Sequence, residues 1–195
     1  MKFYDCIEKN KDKNISIYCD MDGVLAEYDI DNFDYENRRP ITSTIKKIKD
    51  LYKEDNISIY ILSICKTNNI VYDKITWFKK HMPFLKQENI ILLSKEDNKY
   101  QGISSKEIKS NYLKEHAKND VNIVIDDDNS VIKYIIKKDE KMTLLSIIMP
   151  VYNKEEYIDR AIQSIIGQNF KEWELIIVDD GSIDKSLSLC KKYEN

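Results

Sequence analysis

Carboxylates dominate the residues of this chain that could do chemistry. Asp20-Met21-Asp22-Gly23 follows one apolar, β-branched run, Ser63 ends a second, and Asp126-Asp127-Asp128 follows a third. Asp20 and Asp22 are two residues apart, and both can face one site where the chain leaves the strand pleat in a tight turn at Gly23. Four acids gathered at one edge repel one another unless a cation sits among them. Hard oxygen ligands without His or Cys favour Mg2+. In such a cluster one carboxylate can attack phosphorus to form an acyl-phosphate. The second can protonate the leaving oxygen and later deprotonate water. Ser63 and a lysine can hold the phosphoryl oxygens, while the cation offsets the charge of the approaching dianion. The chain has only two histidines, His81 and His116, so a His-based triad or a His-rich zinc site is excluded.

The elements that must position these groups alternate in type. Hydrophobic patterning predicts strands at Ile15–Cys19, Ile57–Leu62, Asn89–Leu93, Val121–Ile125, Leu144–Met149 and Glu174–Val178. Between them it predicts helices at Ile41–Lys53, Val71–His81, Ser104 to about Lys118, Asn129–Lys138, Glu155–Ile166 and from about Asp184. Ser104 and Glu107 have the spacing of a capping box. Strand–helix alternation of this kind gives a parallel sheet with helices on both faces. Ligands of such sheets bind beyond the carboxyl ends of the strands, where Asp20, Ser63 and Asp126 fall. The charged run Lys137–Lys141 reads as a linker, dividing the chain into units 1–140 and 141–195. The second unit is too small to be a stable α/β domain alone.

Composition limits the partners. Of 195 residues, 42% are hydrophobic and 33% charged, which excludes a disordered chain and a collagen. No apolar run approaches the length of a membrane span. The net charge of −3 leaves no dominant basic face for nucleic acid. The N-terminal residues contain no apolar signal core, and the cysteines (Cys6, Cys19, Cys65 and Cys190) form no CxxC pair. Reduced thiols and a cytoplasmic location are therefore expected.

Residues 15–138 resemble the haloacid dehalogenase superfamily, through ISIYCDMDGVLAEY, ISIYILS, KSNYLKEH and NIVIDDDNS. The resemblance implies a Rossmann-like core with Asp20 as nucleophile and Asp22 as acid/base. It implies Mg2+ on Asp20, the main-chain carbonyl of Asp22 and Asp126, with Asp127 acting directly or through water. It also implies a phosphate-binding lysine. Lys109 is favoured, because Tyr112 and Leu113 follow it at helical spacing, and Lys106 is the runner-up. The segments between the motifs leave no room for a large cap, so the site is expected to be open. It suits a bulky substrate, or a small one closed in by a second copy of the chain in a homo-oligomer. The flap Val24–Pro40 ends in Arg38 and Arg39, which can bind a further anionic group, unless the flap is only a solvated hairpin. Cys19 and Cys65 are expected to be buried spectators. Trp77, Phe78 and Trp173 are expected in the core, and the two histidines at helix ends.

Residues 144–195 resemble the beginning of a family 2 glycosyltransferase of the GT-A fold, through LSIIMPVYNKEEYIDRAIQSIIGQNFKEWELIIVDDGSIDKS. By that resemblance Pro150, Tyr152, Asp179 and Asp180 line a nucleotide pocket, with Glu155 a weaker candidate. The metal-binding Asp-x-Asp and the catalytic base of that family lie beyond this segment. The chain is therefore expected to be a phosphatase of the haloacid dehalogenase type without glycosyltransferase activity. The combined expectation is a Mg2+-dependent phosphomonoester hydrolase working through an aspartyl-phosphate. Its substrate would be a phosphorylated sugar, polyol, amino-alcohol or nucleotide-sugar precursor of a bacterial capsule or surface polysaccharide. The alternatives are a 5′-nucleotidase and an accessory domain of a glycosyltransferase.

Overall fold

The computed structural model describes residues 7–28, 34–138, 145–167, 173–179 and 181–194. Six strands form one sheet: β1 (Ile15–Cys19), β2 (Ile57–Cys65), β3 (Ile90–Ser94), β4 (Val121–Ile125), β5 (Leu145–Val151) and β6 (Trp173–Asp179). Their order is β3-β2-β1-β4-β5-β6, and every pairing is parallel. This is a doubly wound order, and it reverses direction between β1 and β4. A crevice opens there beyond the carboxyl ends of those two strands.

The helices are α1 (Thr42–Leu51), α2 (Asn68–His81), α3 (Ser105–His116), α4 (Asn129–Lys138), α5 (Ile158–Ile166) and the short α6 (Ser186–Cys190). On one face of the sheet, Ile48 and Leu51 of α1 and Trp77 and Phe78 of α2 pack on Ile15, Ile17, Ile59 and Ile123. On the other face, Leu113 of α3, Val131, Ile132 and Ile135 of α4 and Ile165 of α5 pack with Tyr18, Leu62 and Val124. The α/β class and the buried parallel sheet are therefore as the alternation predicts. Ile165 also ties the segment after residue 144 into the core of the segment before it. A third cluster, with Met149, Val151, Ile158, Ile162 and Cys190, packs α5 and α6 on β5.

Several boundaries differ from the sequence reading. Strand β2 runs on to Cys65, so Ser63 lies inside it, paired in register with Leu92. Helix α2 begins at Asn68, because Thr67 accepts the Ile70 N–H and caps it. The Ser104–Glu107 capping box does not form: Ser104 makes no side-chain cap hydrogen bond, and its main-chain carbonyl accepts from Glu107 and Ile108 instead. Strand β5 continues through Pro150. Its ladder with β4 ends at Ile125–Ile148, so beyond that level it is paired on one side only, where proline is tolerated. Most of the expected Lys137–Lys141 linker lies outside the described residues. Among the described residues no helix is long and apolar enough to cross a membrane.

Candidate functional site

Two strand ends create the site. Cys19 of β1 pairs with Ile125 of β4, and the next N–H, of Asp20, donates to the Ile125 carbonyl at 2.8 Å. Asp20 and Asp126 therefore leave the sheet side by side. The chain then turns at once. Leu25 and Ala26 N–H donate to the Met21 carbonyl at 2.8 and 2.9 Å, and Gly23 sits at φ +71°. A side chain at 23 would collide with Asp127, since a Cβ there would lie 2.0 Å from Asp127 Oδ2. Glycine is thus required both for its backbone conformation and for the close approach of that carboxylate. The flap closes where Ala26 bridges Pro40 and where Glu27 N–H donates to the Arg39 carbonyl at 2.9 Å.

Asp20, Asp126 and Asp127 each offer an oxygen, and the three lie within 4.8 Å of one another. Lys109 of α3 reaches in from the other face. Its Nζ lies 2.9 Å from Asp20 Oδ2 and 2.5 Å from Asp126 Oδ2. Burial works against the Lys109 charge, but Asp20 and Asp126 outweigh it and raise its pKa. Burial likewise pushes Asp20 up. Lys109 and Lys74, with hydrogen bonds from Ser63 and Lys109, more than reverse this and hold it below the ordinary carboxylate range. Asp126 is raised to about 6, first by burial and then by the Asp20 charge, against the pull of Lys109. Asp127 presents an exposed edge, yet its carboxylate is crowded against Gly23. Desolvation, then the charges of Asp20 and Asp126, raise it to about 7. Two carboxylates that resist ionisation beside a third that is ionised mark a place where added positive charge is favourable.

Asp22 faces the flap. Arg38 Nη1 donates to its Oδ1 at 2.6 Å, and Lys74 Nζ to its Oδ2 at 2.6 Å. Lys74 also donates to Ser63 Oγ at 2.9 Å, so one buried ammonium joins Asp22 to β2. The Tyr35 ring covers both cations, 3.9 Å from Arg38 Cζ and 4.8 Å from Lys74 Nζ. Trp77 Nε1–H donates to the Arg38 carbonyl at 2.8 Å and fixes the end of the flap on α2.

The structure thus gathers Asp20, Asp22, Gly23, Ser63, Lys109, Asp126 and Asp127 at one edge. It separates the two lysine candidates: Lys106 lies over the Tyr134 ring, 5.7 Å from its centroid, while Lys109 reaches the carboxylates. It separates the two arginines as well. Arg38 is buried on Asp22, whereas Arg39 is exposed and pairs with Glu27 at 3.4 Å. Lys74 was not among the expected site residues. A signal for it exists: it falls on the same helix face as Ile70, Trp77 and Phe78, all buried, where a lysine needs a carboxylate partner.

Beyond β5 and β6 the site is of another kind. Short polar side chains lace two loops together through backbone N–H groups. Asn153, at φ +49°, donates its N–H to Ser182 Oγ at 3.0 Å and accepts from Ile183 N–H at 3.0 Å. Lys154 N–H donates to Ser186 Oγ at 2.7 Å, and Glu155 Oε2 accepts from Lys185 N–H at 2.9 Å. Asp179 Oδ2 accepts from Ser182 N–H at 3.2 Å. Tyr152 is 56% exposed. Pro150 lies in β5, with a side chain outside the description, and Asp180 falls outside the described residues altogether.

Comparison with known proteins bears on this second region. The family described as glycosyl transferase family 2 matches residues 146–195. An uncharacterized glycosyltransferase of Haemophilus influenzae is 52% identical over 25% of this chain and 19% of its own length. The minor teichoic acid biosynthesis protein GgaA of Bacillus subtilis is 46% identical over 27% of this chain and 12% of its own length. The glycosyltransferase GlyA of Streptococcus pneumoniae is 44% identical over 28% of this chain and 8% of its own length. The chain therefore spans about a fifth or less of the length of these curated relatives. The match bears out the resemblance of the C-terminal segment and corrects the expected enzyme class. The family named is one of glycosyltransferases, so the expectation of a hydrolase, a phosphatase of the haloacid dehalogenase type with no transferase activity, is overturned.

Proposed function

We propose that this chain serves glycosyl transfer in the assembly of a bacterial surface polysaccharide. In this reading residues 146–195 form the donor-binding start of a family 2 glycosyltransferase. The carboxylate centre at the ends of β1 and β4 holds a divalent cation that serves the same chemistry. The names of relatives support the first part: one is called a teichoic acid biosynthesis protein and others glycosyltransferases. A division near residue 141 into two working parts belongs to the same reading, with the shared sheet holding them together.

One observation carries the second part: three carboxylate oxygens within 4.8 Å, with the Lys109 ammonium between two of them. The donor set fits Mg2+, since it is all oxygen and no His or Cys among the described residues joins it. Asp20, Asp126 and Asp127 would hold the ion, which would neutralise the charge of a bound anionic group. Lys109, paired with Asp20 and Asp126, would hold those carboxylates in place around the ion.

The test is calorimetric titration of the chain with Mg2+. Binding that falls by about 10-fold or more in Asp20→Asn is the expected result. Equal affinity in both proteins, or no binding to either, removes the cation role of this centre. The glycosyltransferase part would then stand on its own test, the binding of a nucleotide sugar.

A further inference from the structure

Strand β3 ends the sheet in strand order, and no strand among the described residues pairs with its outer side. Exposed edges are normally blunted by a charge, a proline or a bulge. β3 has none of these: it reads IILLS, and its ladder with β2 is unbroken from Ile90 to Ser94. Both of its faces are apolar and only half-buried. Ile90 and Leu92 pack against the cluster of Trp77 and Phe78, and Ile91 and Leu93 against that of Leu62 and Leu113.

The backbone shows which groups are open. Lys95 N–H donates to the Cys65 carbonyl of β2 at 2.8 Å. Successive N–H groups of a strand alternate sides, so those of Ile91 and Leu93 also face β2, and those of Ile90, Leu92 and Ser94 face outward. On the outer side the Ile90 N–H is taken by the Gln87 carbonyl, and the Ser94 carbonyl by Asp97 N–H at 3.2 Å. The Ile90 carbonyl, both Leu92 groups and the Ser94 N–H enter no hydrogen bond among the described residues.

These open groups are arranged symmetrically about Leu92, and a second copy of the same strand completes them. With the copies antiparallel and a two-fold axis at Leu92, each Leu92 N–H meets the other Leu92 carbonyl, and each Ser94 N–H meets the Ile90 carbonyl of the second copy. Every open group then has a partner, and every other two-fold register leaves some unpaired. Side chains match in the same register: Leu92 meets Leu92, and Ile91 meets Leu93. Charge agrees. Lys79, Lys80 and Lys86 flank the entrance of β3 against one acid, Glu88, whereas Glu96 and Asp97 follow its exit against one base, Lys95. Antiparallel pairing sets entrance against exit, so the surplus charges that meet are opposite. A cavity of about 380 Å3 lies open beside the edge, lined by Val71, Ile75, Phe78 and Met82 with Ile90 and Leu92. Tyr72, 69% exposed, lies one turn of α2 from Ile75 at its rim.

We infer that β3 is a homodimer interface, at which a second copy of this chain continues the sheet through its own β3. The doubled sheet is antiparallel at its centre, so the two carboxylate centres open on opposite edges and each is complete within one copy. The inference is independent of what those centres bind.

Sedimentation equilibrium and light scattering of the full chain test it. The expected result is a concentration-dependent dimer, twice the mass of one chain, in the micromolar range. Leu92→Pro should weaken it by at least about 10-fold, because each copy loses its central donor while the bonds to β2 remain. Lys79→Glu, a change at an exposed residue, should weaken it by about 2–5-fold. Leu92→Cys should form a disulfide between copies, since a hydrogen-bonded antiparallel pair holds its Cα atoms about 5.5 Å apart, within disulfide range. Ile91→Cys, which faces Leu93 of the second copy, should not. The two cysteine variants keep the test decisive if Leu92→Pro disturbs folding. A monomer throughout the micromolar range, or a dimer in which Leu92→Cys cross-links no better than Ile91→Cys, overturns the inference.

Discussion

The ends of β1 and β4 and the ends of β5 and β6 lie on the same edge of the same sheet, yet they are stabilised by opposite means. At β1 and β4, whole charges are buried and paired: Lys109 with Asp20 and Asp126, and Lys74 and Arg38 with Asp22. At β5 and β6, neutral hydroxyls and amides, with single carboxylate oxygens, accept backbone N–H groups near the surface. Charges out of water hold one another at fixed distance, because any displacement leaves a charge unpaired. Loops laced through single hydrogen bonds exchange partners with water at little cost. The first region therefore keeps its geometry through paired buried charges. The second keeps its loops through hydrogen bonds that water can replace.

The contrast is most exposed to failure at Lys74. Its side chain is fully buried, and Lys74→Met leaves Asp22 with Arg38 alone and Ser63 without its donor. Breaking such a buried pair should cost about 3–5 kcal/mol, read as a lower urea midpoint at unchanged slope. A loss below about 1 kcal/mol would mean that the first region is held no more firmly than the second.

A somewhat smaller effect is expected from Gly23→Ala. The positive φ alone costs about 1–2 kcal/mol, and the new methyl group must also displace Asp127. Mg2+ affinity, measured by calorimetry, should fall by about 10-fold or more as that carboxylate moves. Unchanged affinity would remove Asp127 from the cation site.

The pH dependence sharpens the same comparison. Asp126 and Asp127 have folded-state pKa values raised to about 6 and about 7, above an ordinary carboxylate. Raised carboxylates favour the folded state where they are protonated. Their contribution is complete below about pH 4 and is lost as pH rises through about 6 to 7. With chelator present, the thermal midpoint should therefore decline across that window, to which Asp20, lowered below the ordinary carboxylate range, adds no slope because it titrates at lower pH. With Mg2+ present the trend should reverse, since a cation bound there would favour the ionised carboxylates. A chelated protein whose midpoint is flat from pH 4 to 7 would show that the two carboxylates are not crowded.

The smallest effect belongs to the second region. Asn153→Ala removes one acceptor and puts alanine at φ +49°, for a cost of about 1–2 kcal/mol in stability and no change in Mg2+ affinity. A change in Mg2+ affinity here would mean that the two regions are coupled more tightly than their bonding implies.

Much of the first region was legible in the sequence. Asp20, Ser63 and Asp126 each follow or end an apolar β-branched run, and that pattern places them at one sheet edge before any coordinates exist. Lys109 was legible only as one of two choices, since Lys106 is one helical turn away and shares its chemistry. Lys74 was overlooked because a lysine in an amphipathic helix normally lies on the solvent side. Only the facing carboxylate makes a buried one tolerable. The arginines were read as a pair, yet adjacent residues point in different directions, and Arg38 turned inward while Arg39 turned out.

The sequence by itself determined what depends on nearest neighbours along the chain. It set the alternation of strand and helix, the turn at Gly23, the carboxylates at strand ends and the family likeness of residues 146–195. Tertiary structure alone decided what depends on partners far apart in the chain. It chose Lys109 over Lys106, joined Asp22 to Lys74 across two elements, and set β5 beside β4 so that both regions share one core and one edge. The physical reason is that secondary structure follows from local periodicity. A buried charge, by contrast, is tolerated only where folding brings an opposite one to within hydrogen-bonding distance.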